Sequence, residues 1–185
     1  MNGLAEFLEA AAKLKSVKRQ GWIERGVEGP ESSADHSWMM AAMALTLPFD
    51  GDRDRAVKMA LVHDLAEAEV GDIITKENWE AGGKMSAKDK ENLERKAVME
   101  MLEGLDGSAA REIISLWNEF NNGSTIEAKF VRDIDVAERL LQAHRYHKAG
   151  NFSKPLEGFW DDKAMGTIKD EGIKAMVRKI INPGQ

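Results

Sequence analysis

The chain has 185 residues, 43% of them hydrophobic and 31% charged, which suits one domain with a sizeable core. Its net charge of -6 and isoelectric point near 5.3 argue against a general binder of nucleic-acid polymers or anionic membranes, because no basic field would attract either partner. Cysteine is absent, which excludes disulfides, thiol catalysis and cysteine-type zinc sites, and no apolar run approaches the roughly 18 residues of a membrane span.

The N-terminal segment predicts an amphipathic helix, because its apolar residues recur at spacings of three and four. These residues are Leu4, Phe7, Leu8, Ala11 and Leu14. The segment also carries acids and has no continuous apolar core, so it does not resemble a secretory signal, and we expect a cytoplasmic protein. The breakers Gly26, Gly29 and Pro30 then predict a loop.

Two apolar helices are expected after this loop. Ser32 and Asp35 form an S-x-x-D start signal for a helix that runs through HSWMMAAMALTL and stops near Pro48. The polar stretch FDGDRD predicts a turn. The next helix is expected to cover RAVKMALVHDLAEAEV up to Gly71.

Residues 72–86 predict an irregular segment, and helices are expected again beyond it. Ser86 and Asp89 would start a helix over KDKENLERKAVMEMLEGL, and a second is expected around AAREIISLWNEF. Thr125 would cap a third helix over TIEAKFVRDIDVAERLLQAHRYHKAG, and the tail GTIKDEGIKAMVRKIINPG predicts a last short one. No segment predicts a convincing strand, so we expect an all-α fold with a single domain over residues 1–185.

Four ionisable residues stand out in the stretch LVHDLAEAEVGD. His63 and Glu67 are one helical turn apart, and Asp64 shares with them an arc of roughly 100° on the predicted helix. Asp72 follows the predicted helix end, where it can turn back toward the same pocket. Charges on core-facing positions cost several kcal/mol unless they are paired or bound to a cation, so the side chains of this arc require partners.

Two other predicted helices add His36, near a helix start, and the acids Asp133 and Asp135 in the run FVRDIDVAERLL. A divalent metal would satisfy two imidazoles and two carboxylates together, and mixed nitrogen and oxygen ligands suit a first-row transition ion better than calcium. The same residues are also compatible with a fold that binds no metal. A histidine on an apolar face is usually a hydrogen-bonded core residue, and an acidic helix end is usually solvated. An Asp-x-Asp often pairs with a nearby arginine.

The order of these motifs resembles the HD-domain metal-dependent phosphohydrolases, with a His on one helix, a His-Asp dipeptide on the next and a distant Asp on a later helix. Four longer blocks in the same order are similar to the HD-domain 5'-deoxynucleotidases. They read GWIERGVEGPESSADHSWMMAAMAL, ALVHDLAEAEVGDI, KDKENLERKAVMEML and LWNEFNNGSTIEAKFVRDIDVAERLLQA. The motif-bearing core is about 14–147, which leaves 148–185 as a C-terminal helical extension.

The resemblance implies one divalent metal ion, whether Co, Mn, Zn, Fe, Ni or Mg, held by His36, His63, Asp64 and Asp135 with water in the open positions. In the block RDID, the second aspartate is the one that matches a ligand of the family. Asp133 is therefore expected at the surface or in an ion pair.

The resemblance also implies roles for residues that do not bind the metal. Glu67 and Asp72 match the catalytic acids, one acting on the attacking water and the other on the leaving 5'-oxygen, with the assignment between them open. Glu69 lies roughly 200° around the helix from Glu67 and is expected to face water. Arg19 and Trp22 resemble an Arg-Trp pair that meets the phosphate or sugar and the base, although their spacing differs from the family pattern.

The expected function is hydrolysis of deoxyribonucleoside 5'-monophosphates to deoxynucleoside and phosphate by a metal-activated water. Two alternatives stay open. The same site can act on another phosphate ester, such as a signalling nucleotide, or the domain can bind a metal or nucleotide for regulation without turnover. The resemblance further implies a homodimer that has a small-molecule nucleotide as its substrate.

Overall fold

The computed structural model describes residues 2–76, 83, 85–156, 159 and 162–182, and α-helices dominate this part of the chain. The helices are α1 (Asn2–Ala12), α2 (Gln20–Glu24), α3 (Ser33–Thr46), α4 (Arg53–Val62), α5 (Glu67–Val70), α6 (Ala87–Leu102), α7 (Gly107–Asn122), α8 (Ile126–Ala149), α9 (Asp162–Met165) and α10 (Glu171–Ile181). The described residues form isolated β-bridges but no sheet. The prediction of an all-α, single-domain fold is confirmed. In the same part of the chain, every helix is too short or too polar to cross a bilayer.

The predicted helix starts are confirmed where side-chain caps were expected. The Ser32 hydroxyl accepts the Asp35 N–H at 3.1 Å, and the Asp35 carboxylate accepts the Ser32 N–H at 2.8 Å, which completes a capping box at α3. Ser86 and Thr125 cap α6 and α8 by accepting a backbone N–H from the residue three positions later. These caps fix where three long helices begin.

The largest hydrophobic cluster lies between α3, α4, α8 and α10. Met40 of α3, Met59 of α4 and Ile134 of α8 are fully buried in it. Ile173 and Val177 of α10 pack into the same cluster. The three central helices α3, α4 and α8 are therefore packed closely together, and the predicted metal ligands lie in α3, in α8 and just after α4.

The prediction of one helix up to Gly71 is wrong, because α4 ends at Val62 and α5 begins only at Glu67. Between them, Leu65 and Glu67 donate their N–H groups to carbonyls three positions earlier, at 3.1 and 2.9 Å. His63 Nδ1 lies 2.8 Å from the Ala60 carbonyl oxygen, which a continuing helix would offer to the backbone of residue 64. The chain therefore tightens into a turn at the histidine.

Two acids near the predicted site, Asp133 and Glu69, can be compared with what the sequence predicted for them. The expectation of a surface or ion-pair role for Asp133 is wrong, because this residue is buried and accepts the backbone N–H groups of Lys169 at 3.0 Å and Asp170 at 2.7 Å. The side chain of Asp133, in α8, thus binds the backbone just before α10 and holds the start of that helix against α8. The expectation that Glu69 faces water is confirmed, since its exposed carboxylate pairs with Lys13 at 2.7 Å.

Candidate metal centre and active site

Three parts of the fold bring the four predicted metal ligands together. His36 lies in α3 shortly after its start, His63 and Asp64 lie in the turn after α4, and Asp135 lies inside α8. His36 Nε2 is 3.4 Å from Asp135 Oδ1 and 4.0 Å from Asp64 Oδ2. His63 Nε2 is 3.1 Å from the same Asp64 oxygen. The ligand atoms of His36, His63 and Asp64 therefore converge within 4.8 Å of one another at one point between the central helices, and Asp135 borders this point beside His36.

The two imidazoles direct unpaired nitrogens at this point. His36 Nε2 and His63 Nε2 are both buried without a hydrogen-bond partner. Their Nδ1 atoms face acceptors, Glu138 Oε2 at 2.7 Å and the Ala60 carbonyl at 2.8 Å, so Nδ1 keeps its proton and Nε2, once it gives up its own proton, offers a lone pair to a metal. A divalent cation fits this donor set, because it accepts both lone pairs and balances the two carboxylates.

The electrostatics keep both carboxylates charged. Burial raises the pKa of Asp64, but the neighbouring His63 and Arg19 outweigh burial and hold that pKa below its ordinary value. Burial also opposes ionisation of Asp135, and there His36 and Arg139 hold the pKa low. Both acids are therefore ionised at neutral pH, as carboxylate ligands of a metal must be.

The start of the short helix α2, which the sequence did not predict, brings two hydrogen-bond donors to the site, the guanidinium of Arg19 and the backbone N–H of Gln20. Arg19 precedes α2 and donates from Nη1 to Asp64 Oδ2 at 2.9 Å. The next backbone N–H, that of Gln20, donates to Asp72 Oδ2 at 2.6 Å. Gly71 has a φ of 77°, a conformation that turns the chain after α5 and that glycine adopts without strain. Asp72 therefore reaches the same side as Arg19.

Glu67 is buried at the edge of the cluster, with 1% of its surface exposed. The Ser33 hydroxyl donates to Glu67 Oε2 at 2.5 Å, and Lys90 Nζ lies 3.9 Å from Glu67 Oε1. Burial, followed by the charges of Asp64 and Asp72, raises the pKa of Glu67 well above its ordinary value. Glu67 therefore holds its proton more tightly than an ordinary carboxyl group does, as a residue that exchanges a proton with the substrate or the water would.

Three residues at the site were not predicted from the sequence. Ser33 and Lys90 contact or face Glu67, and Glu138 orients His36. Glu138 follows Asp135 by three positions, a helical spacing that would place both on one face and was the available signal. Lys90 lies in a charge-rich helix, where its sequence surroundings are those of an ordinary solvated face.

Trp22 is not brought to the cluster of ligands. Its ring is 2% exposed and packs against Tyr146 and Phe159, with ring centroids 5.4 and 4.6 Å away. Its indole N–H donates to Glu31 Oε1 at 2.8 Å. The aromatic cluster encloses most of the ring. Base contact by Trp22 therefore stays a prediction.

Comparisons with known proteins identify the family to which the chain belongs. The sequence profile of the HD domain matches residues 11–172. The mouse protein named 5'-deoxynucleotidase HDDC2 is 38% identical over 163 residues, which cover 88% of this chain and 79% of the mouse protein. A solved Pyrococcus horikoshii protein superposes with a TM-score of 0.76 at 30% identity, covering 96% of this chain and 98% of the other. A Magnetospirillum magnetotacticum protein, described as a predicted metal-dependent phosphohydrolase, superposes with a TM-score of 0.74 at 26% identity over 98% of this chain and 91% of its own. The chain therefore belongs to the HD-domain family.

Proposed function

We propose that this protein releases phosphate from deoxyribonucleoside 5'-monophosphates by metal-dependent hydrolysis. The observation that carries the proposal is the convergence of His36, His63 and Asp64, with Asp135 beside His36 and both Nε2 atoms buried and unpaired, in a chain of the HD-domain family. The mouse relative is named a 5'-deoxynucleotidase, and the sequence blocks resemble the same class of enzyme. A phosphomonoester of a deoxynucleoside is therefore the substrate that we assign.

A divalent ion held by these four side chains supplies Lewis acidity, which makes water a nucleophile near neutral pH and neutralises phosphate charge. The mixed nitrogen and oxygen donor set can bind Co, Mn, Zn, Fe, Ni or Mg, so the metal that occupies the site depends on which ions are available. Arg19 and Lys90 face the acids of the site from α2 and α6, and we assign the remaining phosphate charge to them.

Glu67 and Asp72 together move the proton in this reaction. The water oxygen forms a bond to phosphorus, the bond from phosphorus to the 5'-oxygen breaks, and the proton lost by the water is returned to the 5'-oxygen. Glu67 suits this task because burial raises its pKa, and the Ser33 hydroxyl fixes the direction of its carboxyl. Asp72 is held by the Gln20 N–H on the other side.

The role of Glu67 gives the first test. Glu67→Ala should keep metal and substrate binding and lower kcat by about 10² to 10⁴, the usual contribution of a positioned acid or base. Metal binding by calorimetry and phosphate release would be measured on the same preparation. Glu69→Ala is the matched control, because Glu69 is exposed and paired with Lys13. Phosphate release equal to that of the parent protein would remove Glu67 from the mechanism.

The substrate class is tested by one panel. Phosphate release would be measured from deoxyribonucleoside and ribonucleoside 5'- and 3'-monophosphates with Co, Mn, Mg or Zn. Release from the deoxyribonucleoside 5'-monophosphates is the expected result. Release only from other phosphate esters would favour the second enzyme hypothesis, and binding without turnover under every metal would favour a regulatory domain.

We further infer that residues 1–185 form one HD domain, with a core over about 14–147 and an extension over 148–185. The packing of α10 on α8 supports a single domain, because the extension shares the central hydrophobic cluster. We also propose a cytoplasmic homodimer that binds neither nucleic-acid polymers nor membranes, on the basis of the acidic composition and of the resemblance. The molecular mass in solution tests the dimer.

A further inference from the structure

A second group of donor atoms lies on the other side of His36. Carboxylate oxygens of Glu31 and Glu138 and a ring nitrogen of His36 all lie within 4.8 Å of one another. Glu138 is 1% exposed, and its Oε2 faces His36 Nδ1 at 2.7 Å. Glu138 Oε1 is buried without a hydrogen-bond partner. A buried carboxylate oxygen without a donor requires a partner that the protein itself does not provide.

Glu138, which carries this oxygen, is one of the residues that line a cavity of about 300 Å³ beside α3 and α8. Glu31 and Glu138 line the cavity together with Asp35, Gln142 and Arg145, and the guanidinium of Arg145 donates to Gln142 Oε1 at 3.0 Å. Trp38 lines it as well and is 67% exposed, so the cavity communicates with solvent. Its volume is several times that of a single water molecule, which leaves room for an ion with part of its hydration shell.

Within the part of the chain that the structure describes, His36 is the one basic residue within ion-pair distance of either glutamate, through its Nδ1 at 2.7 Å from Glu138 Oε2. There, no lysine or arginine forms an ion pair with Glu31 or Glu138. The Trp22 N–H donates to Glu31 Oε1 at 2.8 Å, and burial together with the charge of Glu138 raises the pKa of Glu31 to about 7. Two partly buried carboxylates that face each other are stabilised either by a shared proton or by a cation.

We propose that Glu31 and Glu138 hold a partly hydrated divalent cation of the Mg²⁺ class in this cavity, separate from the HD metal centre. Mg²⁺ prefers oxygen ligands, keeps several waters, and is usually held by one or two carboxylates, which this cavity offers. His36 Nδ1 is not a ligand of this ion, because it is engaged with Glu138 Oε2. The ion binds at Oε1 of Glu138 and at the free oxygen of Glu31.

The arrangement links the two metal sites through one side chain. Glu138 uses Oε2 to orient His36, whose Nε2 belongs to the HD centre, and leaves Oε1 for the second ion. A cation at Oε1 fixes the rotamer of Glu138, and with it the direction of the imidazole. Occupation of the cavity therefore strengthens metal binding at the HD centre, and the reverse holds by linkage.

Terbium luminescence tests the site directly, because Tb³⁺ binds oxygen ligands and is excited by energy transfer from nearby tryptophan. Trp22 contacts Glu31 and Trp38 lines the cavity. In full-length protein saturated with Zn²⁺, we expect a saturable Tb³⁺ signal that Mg²⁺ displaces. Glu31→Gln should weaken Tb³⁺ binding at least tenfold, while Glu28→Gln, an exposed glutamate of the same loop, should leave it unchanged.

Equal Tb³⁺ affinity in Glu31→Gln and in the parent protein would overturn the proposal, and so would the lack of a saturable signal, which would leave a shared proton as the balancing charge. Glu138→Gln should reproduce the loss seen with Glu31→Gln. If neither variant folds, calorimetry of the Zn²⁺-saturated parent protein with Mg²⁺ decides the matter. One further bound Mg²⁺ per chain is the expected result, and none would refute the second site.

Discussion

Asp133 and Asp135 lie two positions apart on α8, yet they belong to different kinds of environment. The carboxylate of Asp133 is buried against backbone N–H groups of Lys169 and Asp170. The carboxylate of Asp135 faces the buried, unpaired Nε2 of His36. Backbone N–H groups give the carboxylate of Asp133 the hydrogen bonds it needs, and this stabilises the fold. The carboxylate of Asp135 faces an imidazole lone pair instead, so a cation between these two groups is needed to satisfy both. Acids of one helix, two positions apart, thus divide into one that stabilises the fold and one that forms a site.

The largest effect is expected for Asp135→Asn. An amide neither carries the charge nor coordinates as strongly, so metal affinity should fall and phosphate release should drop on the order of 10³-fold, because a metal centre contributes several kcal/mol to the transition state. The free energy of unfolding of the metal-free protein should change little. Metal titration, turnover and urea denaturation would be compared. Unchanged metal affinity would show that Asp135 is not a ligand.

The opposite pattern is expected for Asp133→Ala. Removing this carboxylate leaves two backbone N–H groups without their acceptor, which should lower the free energy of unfolding by about 2 kcal/mol. Activity measured well below the unfolding temperature should stay close to that of the parent protein. Asp133→Asn retains one acceptor oxygen and should lose less. If Asp133→Ala lost metal affinity instead of stability, the two aspartates would not differ as described.

Capping residues and apolar spacing in the sequence predicted where several helices begin, because these features depend on contacts between residues close in the chain. Ser32 and Asp35 cap α3 because their side chains reach backbone groups three positions away. The apolar spacing around His63 predicted a helix correctly up to Val62 and failed beyond it. The failure has a tertiary cause, because the turn lets His63 direct one nitrogen to Ala60 and the other to the metal cluster.

Contacts between distant segments account for the site residues that the sequence did not predict. Lys90 comes close to Glu67 only because α6 packs beside α5, and neither helix encodes that proximity by spacing. Trp22 is enclosed by Tyr146 and Phe159, which lie more than a hundred positions away in the chain. The motif order predicted which side chains meet, because those residues resemble a known family. Which rings are buried depends on packing that the motif does not report.

A smaller effect on activity is expected when Lys90, a basic residue beside the acids of the site, is replaced. Its ammonium lies 3.9 Å from Glu67 and 3.3 Å from Glu94, with only 22% of the side chain exposed. Lys90→Met should raise KM and lower kcat/KM about tenfold, because less positive charge remains for the phosphate dianion. Lys90→Arg should restore part of the loss. Lys96→Met, at an exposed position of the same helix, is the control. A loss of stability without change in kcat/KM would make Lys90 structural.

The smallest effect is expected for an ion pair that only supports the fold. Glu119 of α7 accepts hydrogen bonds from Arg55 of α4 at 2.8 Å and from the Thr125 hydroxyl at 2.7 Å, so it joins two helices to the cap of α8. The hydrogen bond from Arg55, opposed by burial, holds the pKa of Glu119 below its ordinary value. Glu119→Gln should therefore lower the free energy of unfolding at neutral pH by about 1 kcal/mol, with unchanged kcat/KM.

The pH dependence of that loss separates charge from packing. Because the pKa of Glu119 is lower in the folded state, its stabilisation is fully present above the ordinary pKa of about 4 and is lost as the pH falls through the folded value. The difference in unfolding free energy between the parent protein and Glu119→Gln should then shrink in urea titrations from about pH 7 down to about pH 3. Glu112→Gln, which breaks the exposed pair with Lys58, should show no comparable loss at either pH. A difference for Glu119→Gln that stayed constant over this range would mean that shape and hydrogen bonding, rather than the carboxylate charge, hold α4, α7 and α8 together.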